Sequence, residues 1–291
     1  MNVEDIIRIA VLLSIMLIVL GFGLLCTWSD ATSLFRNRGL LLRSLLAMNV
    51  ILPLFAAALA ALFTLRPVIE VVLIALAVSP VPPFLPLKQS KLVGHHEYIY
   101  GLLGATSLLT IVLAPATVIL IGLIASRHAS INPIAIARIV ALTVLVPFAL
   151  GLFLRRVKPN LAERSSPIAS KLGMALLVIA VVPVLIKMWP AMIALVGDGT
   201  VVAIIAFIVV GLAAGHLLGG PDPSTRTVLA LATATRHPGV ALVIATANYP
   251  DTKLVAPAVL LYLLVSIVAS TPYIMWRKRQ KKDLLAVPPV A

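Results

Sequence analysis

The sequence predicts an all-α polytopic membrane protein with nine transmembrane helices, and three observations support this fold class. Hydrophobic residues make up 61% of the 291 residues and charged residues only 11%, with a mean hydropathy of +1.12, which leaves too few charges for a water-soluble surface. Apolar runs of about 20 residues recur along the chain, and each is long enough to cross a bilayer as a helix. Lys and Arg are also divided unevenly between alternate connections, as membrane topology requires.

The nine predicted spans follow one another without a linker or a low-complexity segment. We therefore expect one integral membrane domain over residues 1–276, followed by a basic cytoplasmic tail over residues 277–291. The predicted spans are 5–26, 40–63, 69–92, 97–123, 134–156, 168–189, 200–218, 225–248 and 254–276.

The positive charges predict the orientation of these spans. With the C-terminal tail in the cytoplasm, sixteen Lys and Arg fall on the cytoplasmic side, six fall outside, and Arg236 alone falls within a span. The N-terminus is then outside, and we expect the protein in the bacterial inner (plasma) membrane. Because the net charge of +13 lies in short loops and the tail, it indicates membrane topology rather than nucleic acid binding.

The third predicted span contains a cluster of prolines. Its sequence AVSPVPPFLP places Pro80, Pro82, Pro83 and Pro86 directly after Ser79. Each proline lacks a backbone N–H and its ring clashes with the preceding helical turn. A continuous helix through this segment is therefore not expected.

The eighth predicted span carries a second interruption, the sequence Arg236-His237-Pro238-Gly239. Pro238 disfavours helical geometry at His237, and Gly239 permits an unwound backbone. Thr233 and Thr235 precede this break and are candidates to line a cavity. Arg236 is also a charge at mid-membrane, which is costly and marks a candidate functional residue.

Broken backbone at membrane depth is tolerated where it is buried in protein or lines a watery cavity. One interrupted span in each half of a chain is typical of secondary transporters built from inverted repeats, with the substrate site where the breaks meet. The alternative is that the prolines only kink two helices for packing.

At these residues the sequence resembles the bile acid:sodium symporter family. AVSPVPPFLP and RHPGVALVIA stand where that family carries its two breaks, and LLGATSLLTIVLAP is similar to the helix that follows the first. GLLCTWSDATSLFRNRGLLLRSLLAMNVILP resembles the family's first loop, a short turn, and the basic helix after it. The resemblance implies a panel domain beside a core domain in which two broken helices cross, within an inverted repeat.

The resemblance also implies where sodium would bind, and this sequence departs from the family there. When Gly239 is matched to the family's glycine, Ala232 stands at a sodium-ligating glutamate, Arg236 at a glutamine and His237 at an asparagine. Sodium requires several oxygen ligands, and two unit charges about 4 Å apart repel by roughly 4 kcal/mol at an effective dielectric of 20. We therefore expect degenerate sodium sites and doubtful sodium coupling.

The other positions implied by the resemblance are equally poor in oxygen. Leu85 and Pro86 fall where a serine and an asparagine stand in the family, and Met48 falls at an amide ligand. Only the hydroxyls of Thr106 and Ser107 have plausible counterparts among the ligands. We predict no other metal and no cofactor.

Arg236 and His237 each have two interpretations. The guanidinium of Arg236 is either a tethered cation held by helix-end carbonyls in place of sodium, or a bidentate ligand for an anionic substrate, and the two roles are compatible. His237 is either a proton carrier or a neutral side chain that satisfies backbone groups at the break.

These features favour a secondary transporter that moves an organic anion by alternating access. The expected substrate is bile acid-like or a small carboxylate or sulfonate, and the expected partners are that anion and the lipid bilayer. The alternative is a membrane receptor or sensor that keeps a transporter fold without transport. A membrane enzyme is not expected, because the sequence lacks paired intramembrane aspartates, a Ser/Lys pair and the zinc-binding H-E-x-x-H pattern.

Overall fold

The computed structural model describes residues 3–82, 96–124, 133–249 and 251–286, and these residues form an all-helical structure that is 89% helix without strands. Two of the helices each contain one π-helical turn, Leu46–Ile51 and Ala141–Leu145. The helices are α1 Val3–Leu25, α2 Trp28–Arg36, α3 Arg38–Leu45 continued by Leu52–Leu62, α4 Pro67–Val78, α5 His96–Ile124, α6 Pro133–Val140 continued by Val146–Val157, α7 Pro159–Ala194, α8 Thr200–Leu218, α9 Pro223–Ala234, α10 Pro238–Asn248 and α11 Thr252–Ala286.

The predicted all-α membrane class is confirmed, whereas the predicted number of nine spans is not. Seven stretches of the described residues are long and apolar enough to cross a bilayer, and an eighth is obtained if α1 and α2 count as one bent pair. The difference from nine arises at α4, an apolar helix of only 12 residues that stops before the proline cluster. The rest of the predicted third span, from Pro83 onward, lies outside the described residues.

Two helices are longer than their predicted spans. α7 has 36 residues and begins nine positions before the predicted boundary at 168. α11 continues from the predicted ninth span through Arg277 to Ala286, so most of the predicted basic tail is helical. Arg277 donates hydrogen bonds to Thr227 Oγ1 and the Pro223 carbonyl, at 2.8 and 2.7 Å, which attaches this extension to the start of α9.

The short turn expected between the first two spans is instead the helix α2, which is bent 89° from α1. Thr27 and Asp30 form a capping box at its N-terminus, in which each side chain accepts the other residue's backbone N–H. α2 packs against the start of α5, where Ser33 Oγ donates to the Glu97 carbonyl at 3.1 Å.

The helices pack mainly as two groups. α1, α6 and α7 make their most extensive contacts with one another, through close backbone approaches at glycines. A Cβ at Gly23 would lie 2.5 Å from the Phe148 carbonyl oxygen, and Ser166 Oγ donates to the Gly21 carbonyl at 2.7 Å. The other group contains α3, α4 and α8 to α11.

A glycine stripe on α8 fixes the first half of the interrupted eighth span. Gly211 and Gly215 on α8, and Gly219 directly after it, recur every four residues and face the backbone of α9. A Cβ at Gly215 would lie 2.5 Å from the Ala230 Cα, so only glycine permits this approach. α9 is consequently held against α8 up to Ala234, the residue before the break.

Candidate functional site at two helix breaks

The first break follows α4. The helix ends at Val78, and Ser79 has an extended backbone with φ −74° and ψ 156°. Ser79 Oγ donates to the Leu76 carbonyl at 2.8 Å, which closes the helix end. Pro80 and Pro82 are buried beyond it, while Pro83 lies outside the described residues.

The second break separates α9 from α10, as the sequence predicted for this span. α9 ends at Ala234, Thr235 and His237 have extended backbones, and Pro238 begins α10. A Cβ at Gly239 would lie 3.2 Å from the imidazole of His237, so a side chain would crowd that ring.

The two breaks are joined directly by their backbones. The His237 N–H donates to the Pro80 carbonyl oxygen at 2.9 Å, although 157 positions separate the two residues. This contact, with the extended segments on either side of it, is called the crossover below. It brings together the segment of Ser79 and Pro80, which Pro82 follows in the chain, with Arg236, His237, Pro238 and Gly239.

Arg236 is fully buried at the crossover, with 0% of its surface exposed. Its Nε donates to the Leu76 carbonyl at 3.0 Å, and its Nη2 donates to the carbonyls of Met48, at 3.0 Å, and Ala77. These three oxygens of Met48, Leu76 and Ala77 are called the carbonyl triad. Two of them belong to the last turn of α4, which is the negative end of that helix dipole and favours a cation.

Within the described part of the chain, no carboxylate pairs with Arg236. The hydrogen bonds and ion pairs found there join its guanidinium to backbone carbonyls only. Burial without an acidic partner is tolerated because helix-end carbonyl dipoles accept the guanidinium N–H groups.

His237 caps the N-terminus of α10. Its Nδ1 accepts the backbone N–H groups of Gly239, at 3.2 Å, and Val240, at 3.4 Å. An Nδ1 that accepts is unprotonated, so in the neutral ring the hydrogen resides on Nε2. His237 thus performs the role that Ser, Thr, Asp or Asn usually performs at a helix start.

Two buried donors at the crossover remain without a partner among the described residues. They are Nη1 of Arg236 and Nε2 of His237, which belong to consecutive residues. A buried donor without an acceptor costs about 1–3 kcal/mol, so a site with two of them favours a ligand that supplies acceptor oxygens.

Three of the four predicted hydroxyl residues donate their hydrogen atoms to nearby backbone carbonyls. Thr233 and Thr235 donate to the carbonyls four residues earlier, at 2.8 and 2.5 Å, and Thr106 donates to Leu102 at 2.7 Å. Ser107 is buried, and its hydroxyl has no partner among the described residues. Among the described residues, neither Thr106 nor Ser107 forms a hydrogen bond with the crossover.

The sequence did not indicate Tyr262 as a site residue, and it indicated Met48 for the wrong group. Tyr262, on α11, is fully buried and its hydroxyl donates to the Ala234 carbonyl at 2.6 Å, capping the end of α9. Met48 was considered for its side chain, whereas its backbone carbonyl is what contacts Arg236. A tyrosine in an apolar span is only a weak sign of a site residue, and the sequence gives no sign that a backbone carbonyl is free.

The oxygens of the carbonyl triad do not fit a sodium ion. All three already accept hydrogen bonds from a fixed cation, and a second cation among them would meet its charge at close range. The described residues also contain no cluster of three or more His, Cys, Asp or Glu that could hold a metal.

A separate cavity of about 230 Å³ lies between α2, α5 and the start of α9. Ser33, Asn37, Glu97, Asp222 and Thr225 are among its lining residues, and none of the predicted site residues lines it. Its acidic side chains do not suit an anionic ligand.

Comparison with known proteins identifies the family. The sequence model described as the Sodium Bile acid symporter family matches residues 11–189, which include the first break and end before the second. A search of curated proteins finds no match. The matched residues make up more than half of the chain, and the members of this family are membrane transporters. The chain therefore belongs to the sodium bile acid symporter family.

Proposed function

We propose that this protein is a secondary transporter that moves an organic anion across the membrane by alternating access. The observation that carries the proposal is the crossover, where the His237 N–H binds the Pro80 carbonyl and a guanidinium that has no carboxylate partner among the described residues is buried beside it. In the proposed cycle, the group of helices that contains the crossover moves relative to the group of α1, α6 and α7.

The proposed substrate presents a carboxylate or a sulfonate to the crossover. At the crossover, Nη1 of Arg236 and Nε2 of His237 are buried donors without a partner among the described residues, and an oxyanion supplies the acceptors they need. Thr233, Thr235, Thr106 and Ser107 remain candidates to line the path of the substrate. Bile acid-like anions and small carboxylates or sulfonates both meet this requirement.

Sodium is not required in the proposed mechanism. The guanidinium of Arg236 supplies a positive charge at the crossover in every state, because it is part of the chain. The charge of a bound anion is balanced by this guanidinium, so no added cation is needed.

Proton coupling through His237 is not favoured. A proton at Nδ1 would remove the acceptor for the Gly239 and Val240 N–H groups and would place a second positive charge beside Arg236. His237 is therefore proposed as a neutral capping residue that also offers a donor at Nε2.

The proposed topology keeps nine spans, with α4 and the residues after it as the interrupted third span. The N-terminus is outside and the C-terminus is cytoplasmic, in agreement with the distribution of Lys and Arg.

Uptake into proteoliposomes tests the proposal. Purified protein is reconstituted, and the initial uptake of radiolabelled taurocholate, a short carboxylate and a short sulfonate is compared with uptake into protein-free liposomes. We expect saturable uptake of at least one anion and its loss in Arg236→Ala, while Arg66→Ala, at an exposed ion pair, retains it. Saturable binding of an anion without uptake would contradict transport and would favour a receptor.

A further inference from the structure

The carbonyl of Met48 is available to Arg236 because of a local irregularity in α3. In an α-helix this carbonyl would accept the N–H of Leu52, four residues later. In the π-helical turn, the Leu52 N–H instead bonds the carbonyl of Ala47, five residues earlier. The usual partner of the Met48 carbonyl is thereby withdrawn.

The next residue cannot replace that partner. In a π-helical pattern the Met48 carbonyl would accept the N–H of residue 53, which is Pro53 and has none. We propose that Pro53 is a positioning residue, which keeps the Met48 carbonyl free so that α3 holds the guanidinium of Arg236 at the crossover. The importance of this position for transport rests on the proposed function, but the contact itself does not.

This arrangement ties a third helix to the two breaks. The carbonyls of Leu76 and Ala77 come from α4 alone and could hold Arg236 at the end of one half-helix. The Met48 carbonyl approaches the same Nη2 atom from α3, so the guanidinium links α3, α4 and the segment before α10. A shift of α3 relative to α4 would therefore break one of these hydrogen bonds.

The same local pattern occurs in α6 without the guanidinium. There the Val146 N–H bonds the Ala141 carbonyl five residues earlier, and Pro147 follows. The carbonyl in the position that corresponds to Met48 is that of Leu142, and none of the hydrogen bonds described for Arg236 reaches it. Pro147 is consequently a matched control for the loss of a proline after a π-helical turn.

Pro53→Ala restores a backbone N–H that competes for the Met48 carbonyl. The helix gains a hydrogen bond, and the guanidinium loses one of the three carbonyls. In a protein without Arg236, the helix still gains this hydrogen bond, and there is no guanidinium to lose a partner. The effect of Pro53→Ala must therefore depend on whether Arg236 is present, whereas a proline that only shapes α3 acts equally in both cases.

A double-mutant cycle measured by thermal unfolding in detergent tests this dependence. Pro53→Ala and Pro147→Ala are each introduced into the wild type and into Arg236→Ala. We expect Pro53→Ala to be less favourable in the wild type than in Arg236→Ala, by about 2–4 °C in Tm for a coupling of ordinary size. Pro147→Ala should shift Tm equally in both backgrounds.

An equal shift for Pro53→Ala in the two backgrounds overturns the proposal. If Arg236→Ala does not give folded protein, Arg236→Gln serves as the second background. If neither variant folds, the two single substitutions in the wild type decide. The proposal requires a lower Tm for Pro53→Ala than for Pro147→Ala. Equal Tm values contradict it. No transport is measured, so a failure of the proposed function leaves this test intact.

Discussion

Arg236 and Arg66 bind helix-end carbonyls in the same way but in opposite environments. Arg66 donates to the carbonyl of Ala194, the last residue of α7, and also pairs with Asp198 at 2.9 Å, with 38% and 65% of the two side chains exposed. Arg236 donates to Ala77 near the end of α4 and is fully buried. A guanidinium can thus close a helix end with or without a carboxylate.

The difference shows which of the two guanidinium groups can have its contacts replaced by water. Water can take over the contacts of Arg66, and an exposed ion pair contributes little, about 0–1 kcal/mol. Arg236 has no exposed surface, so water cannot replace the guanidinium as the donor to the carbonyls of Met48 and Ala77. The four predictions below test this contrast, beginning with the largest expected effect.

Arg236→Ala should be the most damaging substitution. The buried carbonyls of Met48 and Ala77 lose their donor, and an unsatisfied buried acceptor costs about 1–3 kcal/mol. We expect a large decrease in Tm and loss of anion uptake, measured on the same purified protein. Arg66→Ala is the control, and equal decreases in Tm for both variants would remove the contrast.

Arg236→Lys should have an intermediate effect. It keeps the positive charge, but its three N–H donors share one nitrogen and do not reproduce the planar guanidinium that reaches α3 and α4 together. We expect Tm between those of the wild type and Arg236→Ala, with uptake impaired. Uptake equal to the wild type would show that charge alone is sufficient.

His237→Ala should cost about 0.5–2 kcal/mol, because α10 loses the acceptor at its N-terminus. His237→Asn keeps a capping oxygen and should recover most of this stability, which thermal unfolding can measure. Since His237 is proposed to stay neutral, wild-type uptake should not change between pH 6 and pH 8 through this group. The neutral role of His237 would be contradicted if wild-type uptake required an inward proton gradient and the His237→Asn variant no longer showed this requirement.

Asp198→Asn should have the smallest effect. Asp198 has φ +44°, a conformation that asparagine adopts readily, so the substitution removes the charge and preserves the turn. We expect a change within about 1 kcal/mol that disappears at high salt. A Tm decrease comparable to that of Arg236→Ala would mean that the exposed pair is structurally essential.

The sequence predicted the breaks because their cause is local. Pro238 and the clustered prolines after Ser79 disfavour a helix that continues through them, and the structure has its helix ends at Val78 and Ala234. Helix-end carbonyls as partners for Arg236 were one of its two interpretations, since the span offered no carboxylate.

What the sequence could not predict depends on tertiary geometry. The contact between His237 and Pro80 joins backbone groups, whose pairing leaves no residue-type signal. The hydroxyl of Tyr262 reaches Ala234 only because α11 packs against the end of α9. The bend of 89° before α2 and the helical continuation through Arg277 likewise follow from packing rather than from apolar composition.

Sodium replacement tests the central claim most directly. Initial anion uptake into proteoliposomes is measured with an inward sodium gradient and again with all sodium replaced by choline. If the guanidinium of Arg236 provides the fixed positive charge at the crossover, the two rates should be equal across the substrate concentration range. A steep, saturable dependence of uptake on external sodium would contradict the account.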